Sequence, residues 1–169
     1  DPAAVEVVRQ YTRALDIVKQ LTGWIRKRGW EAWPHGGPMA GDLVMIPAAI
    51  AAGLGELGKH GSMINRVLGS NFRLGLVLTD LPLEANSSDE FGADGFCVNC
   101  RVCVDACPPI AISHDKHWVR GTERWYVDFD ACLPFFNEHK GCAICIAVCP
   151  WSRPGIAENL VKKMARRRI

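Results

Sequence analysis

Apolar residues recur with helical spacing through the first part of the chain. Between residues 3 and 28 they are separated by three, four or seven positions, at Val5, Val8, Leu15, Val18, Leu21 and Ile25. This spacing places them on one face of a helix. Pro2 is suited to a helix start and Gly29 to a helix end. We therefore predict one long helix over residues 3–28.

Shorter elements are predicted up to the cysteine-rich region. Residues 30–42 hold three glycines and two prolines and predict a loop. Pro47 begins a short apolar helix that stops at Gly53, and residues 72–79 predict a strand with a buried face. A polar linker over residues 80–96 follows. The remaining predicted elements are a strand at 125–129 and a terminal helix at 156–168.

Composition places this 169-residue chain among globular proteins, since 49% of it is hydrophobic and 22% charged. It excludes wholesale disorder and collagen-like or coiled-coil structure. The longest apolar run, from Leu43 to Leu54, is too short to cross a bilayer. The net charge is only +2, so we interpret the basic C-terminal residues as a solvated helix end and expect no nucleic-acid binding. The first residue is Asp1 rather than Met, and we expect a processed N-terminus or a longer protein.

All eight cysteines lie between residues 97 and 149, in two runs that each end in Cys-Pro. The runs are Cys97-x2-Cys100-x2-Cys103-x3-Cys107 and Cys132-x9-Cys142-x2-Cys145-x3-Cys149. A disulfide framework would spread its cysteines more evenly, and zinc sites usually pair two CxxC units across a longer loop. The CxxCxxCxxxCP pattern, which the second run repeats with a stretched first spacing, is instead typical of two [4Fe–4S] clusters.

Ligand sets for the two clusters follow from this pattern, because the cysteine before proline binds the other cluster. The predicted ligands of cluster one are Cys97, Cys100, Cys103 and Cys149. The predicted ligands of cluster two are Cys107, Cys132, Cys142 and Cys145. The long gap after Cys132 predicts a loop with Phe135, Phe136 and His139 over cluster two. Two adjacent clusters form an electron path, which implies a donor and an acceptor.

Three further features lie outside the cysteines. Gly53-x-Gly55-x-x-Gly58 matches the dinucleotide-binding fingerprint, but it follows a predicted helix rather than a strand, so we reject that reading. Arg73 lies inside an apolar predicted strand and needs an anionic partner, from the protein or a ligand. Tyr11 lies on the first predicted helix.

Together these residues resemble the C-terminal part of corrinoid-dependent reductive dehalogenases and, more distantly, epoxyqueuosine reductase. Glu56 and His60 favour the dehalogenases, since epoxyqueuosine reductases usually have Trp-Ile-Gly-Lys-Asn after Gly-Leu-Gly. The matching segments are Tyr11 with residues 24–30, then residues 46–49, 52–59, 72–74 and 78–83, and the double cysteine motif through Trp151.

The resemblance implies an α+β chain with two parts. Residues 1–90 would be part of a nitroreductase-like corrinoid-binding domain, and residues 91–169 a bacterial ferredoxin-like double [4Fe–4S] domain with a C-terminal helix. The implied cofactors are two [4Fe–4S] clusters and cobalamin or another corrinoid. Tyr11 resembles the proton donor of this family and Arg73 its basic partner. The implied corrinoid-binding residues are Gly53, Leu54, Gly55, Glu56, Lys59, His60 and Ile64.

The implied activity is reductive cleavage of a carbon–halogen bond in a small organohalide. An external donor (ferredoxin, flavodoxin or a membrane redox protein) would supply electrons. The N-terminal half of the corrinoid domain would be a missing part of this polypeptide or a companion chain. Two alternatives are an electron-transfer subunit that docks on a separate catalytic chain and an epoxyqueuosine reductase-like enzyme. The resemblance leaves the compartment open between the cytoplasm and export in folded form, peripheral to the membrane.

Overall fold

The computed structural model describes residues 2–37 and 43–167. The chain divides into two compact units, of which unit 1 comprises residues 1–52 and 73–87 and unit 2 comprises residues 53–72 and 88–169. The domain boundary near residue 90 stays a prediction. Residues 38–42 of the predicted loop and residue 168 of the predicted terminal helix lie outside the described residues.

Seven α-helices and six strands form within the described residues. The helices are α1 (Pro2–Arg26), α2 (Met45–Ala51), α3 (Ala93–Asn99), α4 (Val102–Asp105), α5 (Phe129–Glu138), α6 (Ile144–Ala147) and α7 (Ala157–Ala165), with a 3₁₀ turn at Pro150–Ser152. The strands are β1 (Ala32–His35), β2 (Glu56–Leu57), β3 (Met63–Ile64), β4 (Leu76–Thr79), β5 (Ile112–Val119) and β6 (Thr122–Val127). They pair antiparallel as β1–β4, β2–β3 and β5–β6. No helix in the described ranges combines the length and apolar character needed to cross a bilayer.

Unit 1 is built on α1, which confirms the long helix that the apolar spacing predicts. Val18 and Ile25 of this helix are buried. The predicted strand is confirmed only as β4, and the predicted buried face is wrong, because β4 has no fully buried residue and Leu78 is exposed. Gly75 lies so close to α1 that an added Cβ would meet Val18 Cγ1 at 2.5 Å. A larger residue there would therefore push the chain away from the helix.

The prediction of a loop over residues 30–42 is wrong where β1 forms. Pro34 lacks a backbone donor and hides this strand in the sequence, but a two-stranded sheet has edges where that donor is not needed. Side-chain hydrogen bonds at one end of the β1–β4 pair also hold the two strands together. Glu31 N–H donates to Asp80 Oδ1 at 2.8 Å, and Thr79 Oγ1 donates to the Glu31 carbonyl at 2.7 Å.

Unit 2 has a core around Trp151, which is 1% exposed. Phe91 and Phe96 meet its ring edge-on, with centroids 5.5 and 5.6 Å away. Such edge-to-face pairs add to the stabilisation from burial alone. The same buried cluster contains Cys97 and Cys149. The core of unit 2 therefore holds two of the predicted cluster ligands in place.

The predicted loop after Cys132 is wrong, because most of this segment is helix α5. Asp128 caps the helix by accepting hydrogen bonds from the backbone N–H groups of Asp130 and Ala131. Pro134 lies inside the helix and removes one backbone donor, which masks the helical signal in the sequence. Phe135 and Phe136 are therefore on a helix, and His139 is its C-cap residue.

Candidate functional site

Four cysteines of unit 2 form a first set of neighbouring thiols. Cys97 lies in α3, Cys103 lies in α4, Cys100 follows α3 and Cys149 precedes the 3₁₀ turn. The Cys97 thiol interacts electrostatically with those of Cys149, Cys103 and Cys100. These are the four residues that the sequence predicts as ligands of cluster one. All eight cysteines of the chain are free of disulfide bonds.

Burial makes two thiols of the first set difficult to ionise. Burial, together with smaller contributions from neighbouring thiolates, raises the pKa of both Cys97 and Cys103 to about 12. A hydrogen bond from the Lys59 backbone N–H opposes the change at Cys97. Four neighbouring thiolates would repel one another, and bound iron offsets that repulsion. The chemistry of this donor set therefore fits a thiolate-ligated cluster.

A pocket of about 260 Å³, including its open mouth, adjoins the first set. Its wall contains the four thiols together with Lys59, His60, Phe96, Pro150 and Trp151. Apart from Lys59 and His60 the wall is apolar, which limits access of water to the sulfurs. Limited water access is one of the protein's means of setting the potential of an iron–sulfur cluster.

A second set of thiols combines Cys107, Cys132, Cys142 and Cys145. Burial raises the pKa of Cys145 to about 11, with further contributions from the thiolates of Cys142, Cys107 and Cys132. Burial, followed by the thiolates of Cys107 and Cys142, also raises the pKa of Cys132. The Ala111 N–H donates to Cys107 Sγ at 3.4 Å. These are the predicted ligands of cluster two, so the helix that replaces the predicted loop still brings Cys132 to the other three.

The spacing of the donors bears on the kind of centre they can hold. Within residues 2–37 and 43–167, no group of three or more His, Cys, Asp or Glu side chains is arranged around one metal ion. A cubane cluster needs one thiolate on each of four irons, so its ligands are spread more widely than those of a single zinc ion. The sets are also adjacent, because the Cys103 thiol interacts with that of Cys145.

Tyr11 and Arg73, the predicted catalytic pair, lie together in unit 1. The guanidinium carbon of Arg73 is 4.6 Å from the centroid of the Tyr11 ring. Both residues are half-buried. A cation at this distance is attracted to the face of the aromatic ring. Tyr11 and Arg73 are far apart in the sequence. The fold of unit 1 brings them together, because Tyr11 lies on α1 and Arg73 lies in the segment before β4.

Glu56, a predicted corrinoid contact, is directed into unit 2. Its carboxylate accepts hydrogen bonds from the backbone N–H groups of Phe91, of Gly92 at 2.6 Å and of Asp94 at 2.8 Å. These donors lie at the N-terminus of α3, where a negative charge is favourable. Glu56 therefore anchors the helix that carries Cys97.

Other members of this predicted set are also engaged within unit 2. Lys59 is 2% exposed, with Nζ 3.4 Å from the Val98 carbonyl and 4.8 Å from the Trp125 ring centroid. A Cβ on Gly55 would lie 2.2 Å from the Ile64 carbonyl oxygen. Gly53 has φ +75° and Gly58 approaches His60, whereas the Leu54 side chain is 49% exposed. Corrinoid contacts by this segment stay a prediction.

Sequence reasoning missed Ser70 and Asp94. The Ser70 side chain hydrogen-bonds to Cys149, which lowers the pKa of that thiol against the larger effect of burial. Asp94 accepts hydrogen bonds from Lys116 Nζ and Trp125 Nε1, both at 2.8 Å. Neither residue belongs to a recognisable motif. Only the fold places them beside their partners.

Comparisons with known proteins agree with these thiol sets. The family of 4Fe-4S dicluster domains matches residues 96–152. A tetrachloroethene reductive dehalogenase of Desulfitobacterium hafniense is 32% identical over 164 residues, which cover 89% of this chain and 29% of that protein. A solved reductive dehalogenase, whose structure suggests a mechanism for B12-dependent dehalogenation, superimposes with a TM-score of 0.82 at 30% identity, covering 91% of this chain and 23% of that one.

Epoxyqueuosine reductases are also related to the chain. That of Salmonella typhimurium is 29% identical over 170 residues, covering 86% of this chain and 41% of the enzyme. The chain thus spans less than a third of the length of the reductive dehalogenases described above. It is a mixed α/β chain with a 4Fe-4S dicluster domain. The predicted resemblance is confirmed: the chain is homologous to part of the reductive dehalogenases and more distantly related to the epoxyqueuosine reductases.

Proposed function

We propose that this chain is the cluster-bearing and partly catalytic portion of a reductive dehalogenase-like oxidoreductase. The observation that carries the proposal is the convergence of two sets of four thiols in a homologue of reductive dehalogenases. In finer terms, residues 1–90 would be part of a nitroreductase-like corrinoid-binding domain and residues 91–169 a ferredoxin-like domain. The rest of the corrinoid domain would come from a missing N-terminal half or a companion chain.

The cysteines would hold two [4Fe–4S] clusters, one on Cys97, Cys100, Cys103 and Cys149 and one on Cys107, Cys132, Cys142 and Cys145. When bound, a cobalt corrinoid would supply the reductive cleavage of the carbon–halogen bond, with electrons from the clusters. The contribution of this chain is to hold the sulfurs, exclude water from them and shorten the electron path. The electrostatic interaction between the Cys103 and Cys145 thiols supports short transfer between the two sets.

Tyr11 and Arg73 would supply the proton. A phenol is neutral near pH 7 and can donate its proton to a carbanion-like centre. The Arg73 guanidinium, 4.6 Å from the ring centroid, favours the phenolate that remains. The substrate would be a small organohalide, and the electron donor a ferredoxin, flavodoxin or membrane redox protein.

The test is anaerobic reconstitution of the chain together with the rest of its polypeptide. We expect about eight iron atoms per chain, the spectrum of a bound corrinoid, and cleavage of an aryl or vinyl halide. Tyr11→Phe should abolish turnover and leave both clusters in place. The chain's other tyrosine provides a matched control, because Tyr126 is exposed on β6 and Tyr126→Phe should retain turnover.

Different results refute different parts of the proposal. Equal turnover in the two tyrosine variants removes Tyr11 from the mechanism. Loss of only one of the two clusters in Cys107→Ser supports the ligand sets, and loss of neither contradicts them. Fully loaded protein that binds no corrinoid and cleaves no halide refutes the dehalogenase assignment.

A second candidate is an electron-transfer subunit that docks on a separate catalytic chain. It is favoured by the two sets of four thiols in unit 2, which would carry electrons without a corrinoid. The mass of the native polypeptide distinguishes the two. An 18.6 kDa native chain that copurifies with a second polypeptide favours the subunit, whereas a much larger single chain contradicts it.

A further inference from the structure

We propose that Ser70, oriented by His60, donates a hydrogen bond to the sulfur of Cys149 and raises the reduction potential of the first cluster. The inference rests on the proposed cluster on Cys97, Cys100, Cys103 and Cys149. It assigns to Ser70 and His60 a role as positioning residues.

His60 is held in one tautomer. The Ser62 backbone N–H donates to His60 Nδ1 at 3.1 Å, so Nδ1 carries a lone pair and the ring proton is on Nε2. His60 Nε2 lies 3.1 Å from Ser70 Oγ. Burial lowers the pKa of His60 to about 4, so the ring is neutral near pH 7. The ring therefore donates to the hydroxyl oxygen.

The Ser70 hydroxyl links His60 to the predicted cluster ligand Cys149 through two hydrogen bonds. Its hydroxyl oxygen accepts from His60, which leaves the hydroxyl hydrogen for another acceptor. That acceptor is the Cys149 sulfur, to which the Ser70 side chain hydrogen-bonds. Ser70 is 3% exposed and His60 is 7% exposed, so water does not compete strongly for either group. Hydrogen bonds in series polarise one another in such an environment.

The backbone fixes Ser70 beside Cys149. Asn65 and Gly69 exchange two backbone hydrogen bonds, of 2.7 and 3.0 Å, and close a tight turn. Gly69 has φ +66°, and an added Cβ would lie 1.9 Å from the Trp151 carbonyl oxygen. The turn thus runs directly against the segment that follows Cys149. This close approach holds the backbone next to Ser70 against the residues that follow Cys149.

A hydrogen bond to a ligand sulfur favours the reduced cluster, because the reduced state carries one more negative charge. The number of such bonds is one of the determinants of cluster potential. Cys149 also receives backbone hydrogen bonds from Trp151 and Ser152. Those backbone donors cannot be removed by substitution of a side chain. The Ser70 hydroxyl can be removed in this way, so its effect on the cluster potential can be measured.

The experiment is an anaerobic redox titration of the cluster-loaded protein, followed by electron paramagnetic resonance. Ser70→Ala should shift the midpoint potential of one cluster to a more negative value and leave the other unchanged. The loss of one charge-assisted hydrogen bond corresponds to about a tenfold lower ratio of reduced to oxidised cluster at a fixed potential. For a one-electron couple, that tenfold change is about 59 mV.

Three variants complete the test. Ser152→Ala is the matched control, because its buried hydroxyl has no hydrogen-bond partner among the described residues; its potentials should equal those of the wild type. Ser70→Thr retains a hydroxyl and should restore the wild-type potential. His60→Leu should shift the same cluster as Ser70→Ala, by a smaller amount, because the hydroxyl loses its orientation.

The outcomes separate this inference from the proposed function. Wild-type protein with two clusters, and equal potentials in Ser70→Ala and Ser152→Ala, overturns the inference and leaves the function intact. If Ser70→Ala fails to bind the first cluster, the midpoint potential of that cluster in His60→Leu becomes the test. A potential equal to that of the wild type in His60→Leu then overturns the inference. Wild-type protein that assembles no cluster overturns both.

Discussion

Replacement of Glu56 by Gln tests whether one buried carboxylate holds α3 in place. Glu56 is 8% exposed, and its Oε1 accepts hydrogen bonds from Phe91 N–H and Gly92 N–H while Oε2 accepts from Asp94 N–H. Glutamine has nearly the same shape but replaces one oxygen with an NH₂ donor. In its best orientation the amide oxygen serves Phe91 and Gly92, and the NH₂ group faces the Asp94 N–H.

The cost of Glu56→Gln can be worked out from these bonds. One buried backbone N–H without an acceptor costs about 1–3 kcal/mol. The two retained bonds change from charge-assisted to neutral and lose about half of their strength. We therefore expect the free energy of unfolding to fall by about 3 kcal/mol. For a chain of this length, that loss corresponds to a decrease in Tm of about 6–12 °C.

The assay is thermal unfolding of the cluster-loaded protein under anaerobic conditions, followed by circular dichroism. Glu123→Gln is the matched control, because Glu123 is exposed on β6 and its replacement should change Tm by no more than about 2 °C. Because α3 carries Cys97, Glu56→Gln should also release the first cluster faster than the second. Equal Tm values for the two variants would refute the role of Glu56 as the anchor of α3.

Two other predictions follow from unit 2. Gly69→Ala should destabilise the protein by about 3 kcal/mol, because the new Cβ meets the Trp151 carbonyl. Gly155→Ala is the control, since Gly155 has a similar φ of +72° but nothing within 4 Å of an added Cβ, and it should cost only about 1 kcal/mol. Equal losses of stability in urea unfolding would contradict the close approach of Gly69 to the Trp151 carbonyl. The free energy of unfolding should fall by about 1 kcal/mol from about pH 7.5 to about pH 5.5 because of His60. The pKa of His60 is lowered to about 4 in the folded state, so the unfolded chain binds a proton first as the pH falls below 6.5. His60→Gln should therefore lose this part of the pH dependence of stability. An unchanged pH profile of the unfolding free energy in His60→Gln would contradict the burial of a neutral ring.

The cysteine spacing predicted which thiols lie near one another, because the motif itself encodes that grouping. Their ligation of two clusters stays a prediction. The long helix was predictable from the spacing of its apolar residues, of which Val18 and Ile25 are buried and Val5, Val8 and Leu21 are exposed. β1 was not predictable, because Pro34 and two short strands leave no periodic signal and the strand depends on pairing with β4. α5 was hidden by Pro134, whose cost is offset by the Asp128 cap.

The roles of Glu56 and Ser70 were beyond the reach of the sequence for another reason. The segment around Glu56 matched a family pattern of corrinoid-contacting residues, and that contact stays a prediction. The fold connects Glu56 to the start of α3, about 36 residues away. Ser70 stands in a polar stretch with no motif, and its partner Cys149 is far along the chain. Contacts at such separation depend on the tertiary structure.

Buried polar residues are concentrated in the segment from residue 53 to residue 72, beside the first thiol set. Five polar or charged residues are buried among those that the structure describes, and four of them, Glu56, Lys59, His60 and Ser70, lie in this segment. Each such burial is costly unless the group is paired. Here the four groups act on α3, the pocket wall and the Cys149 sulfur. The segment is therefore best understood as the wall of the first thiol set, whose polar groups set the environment in which a cluster would be reduced.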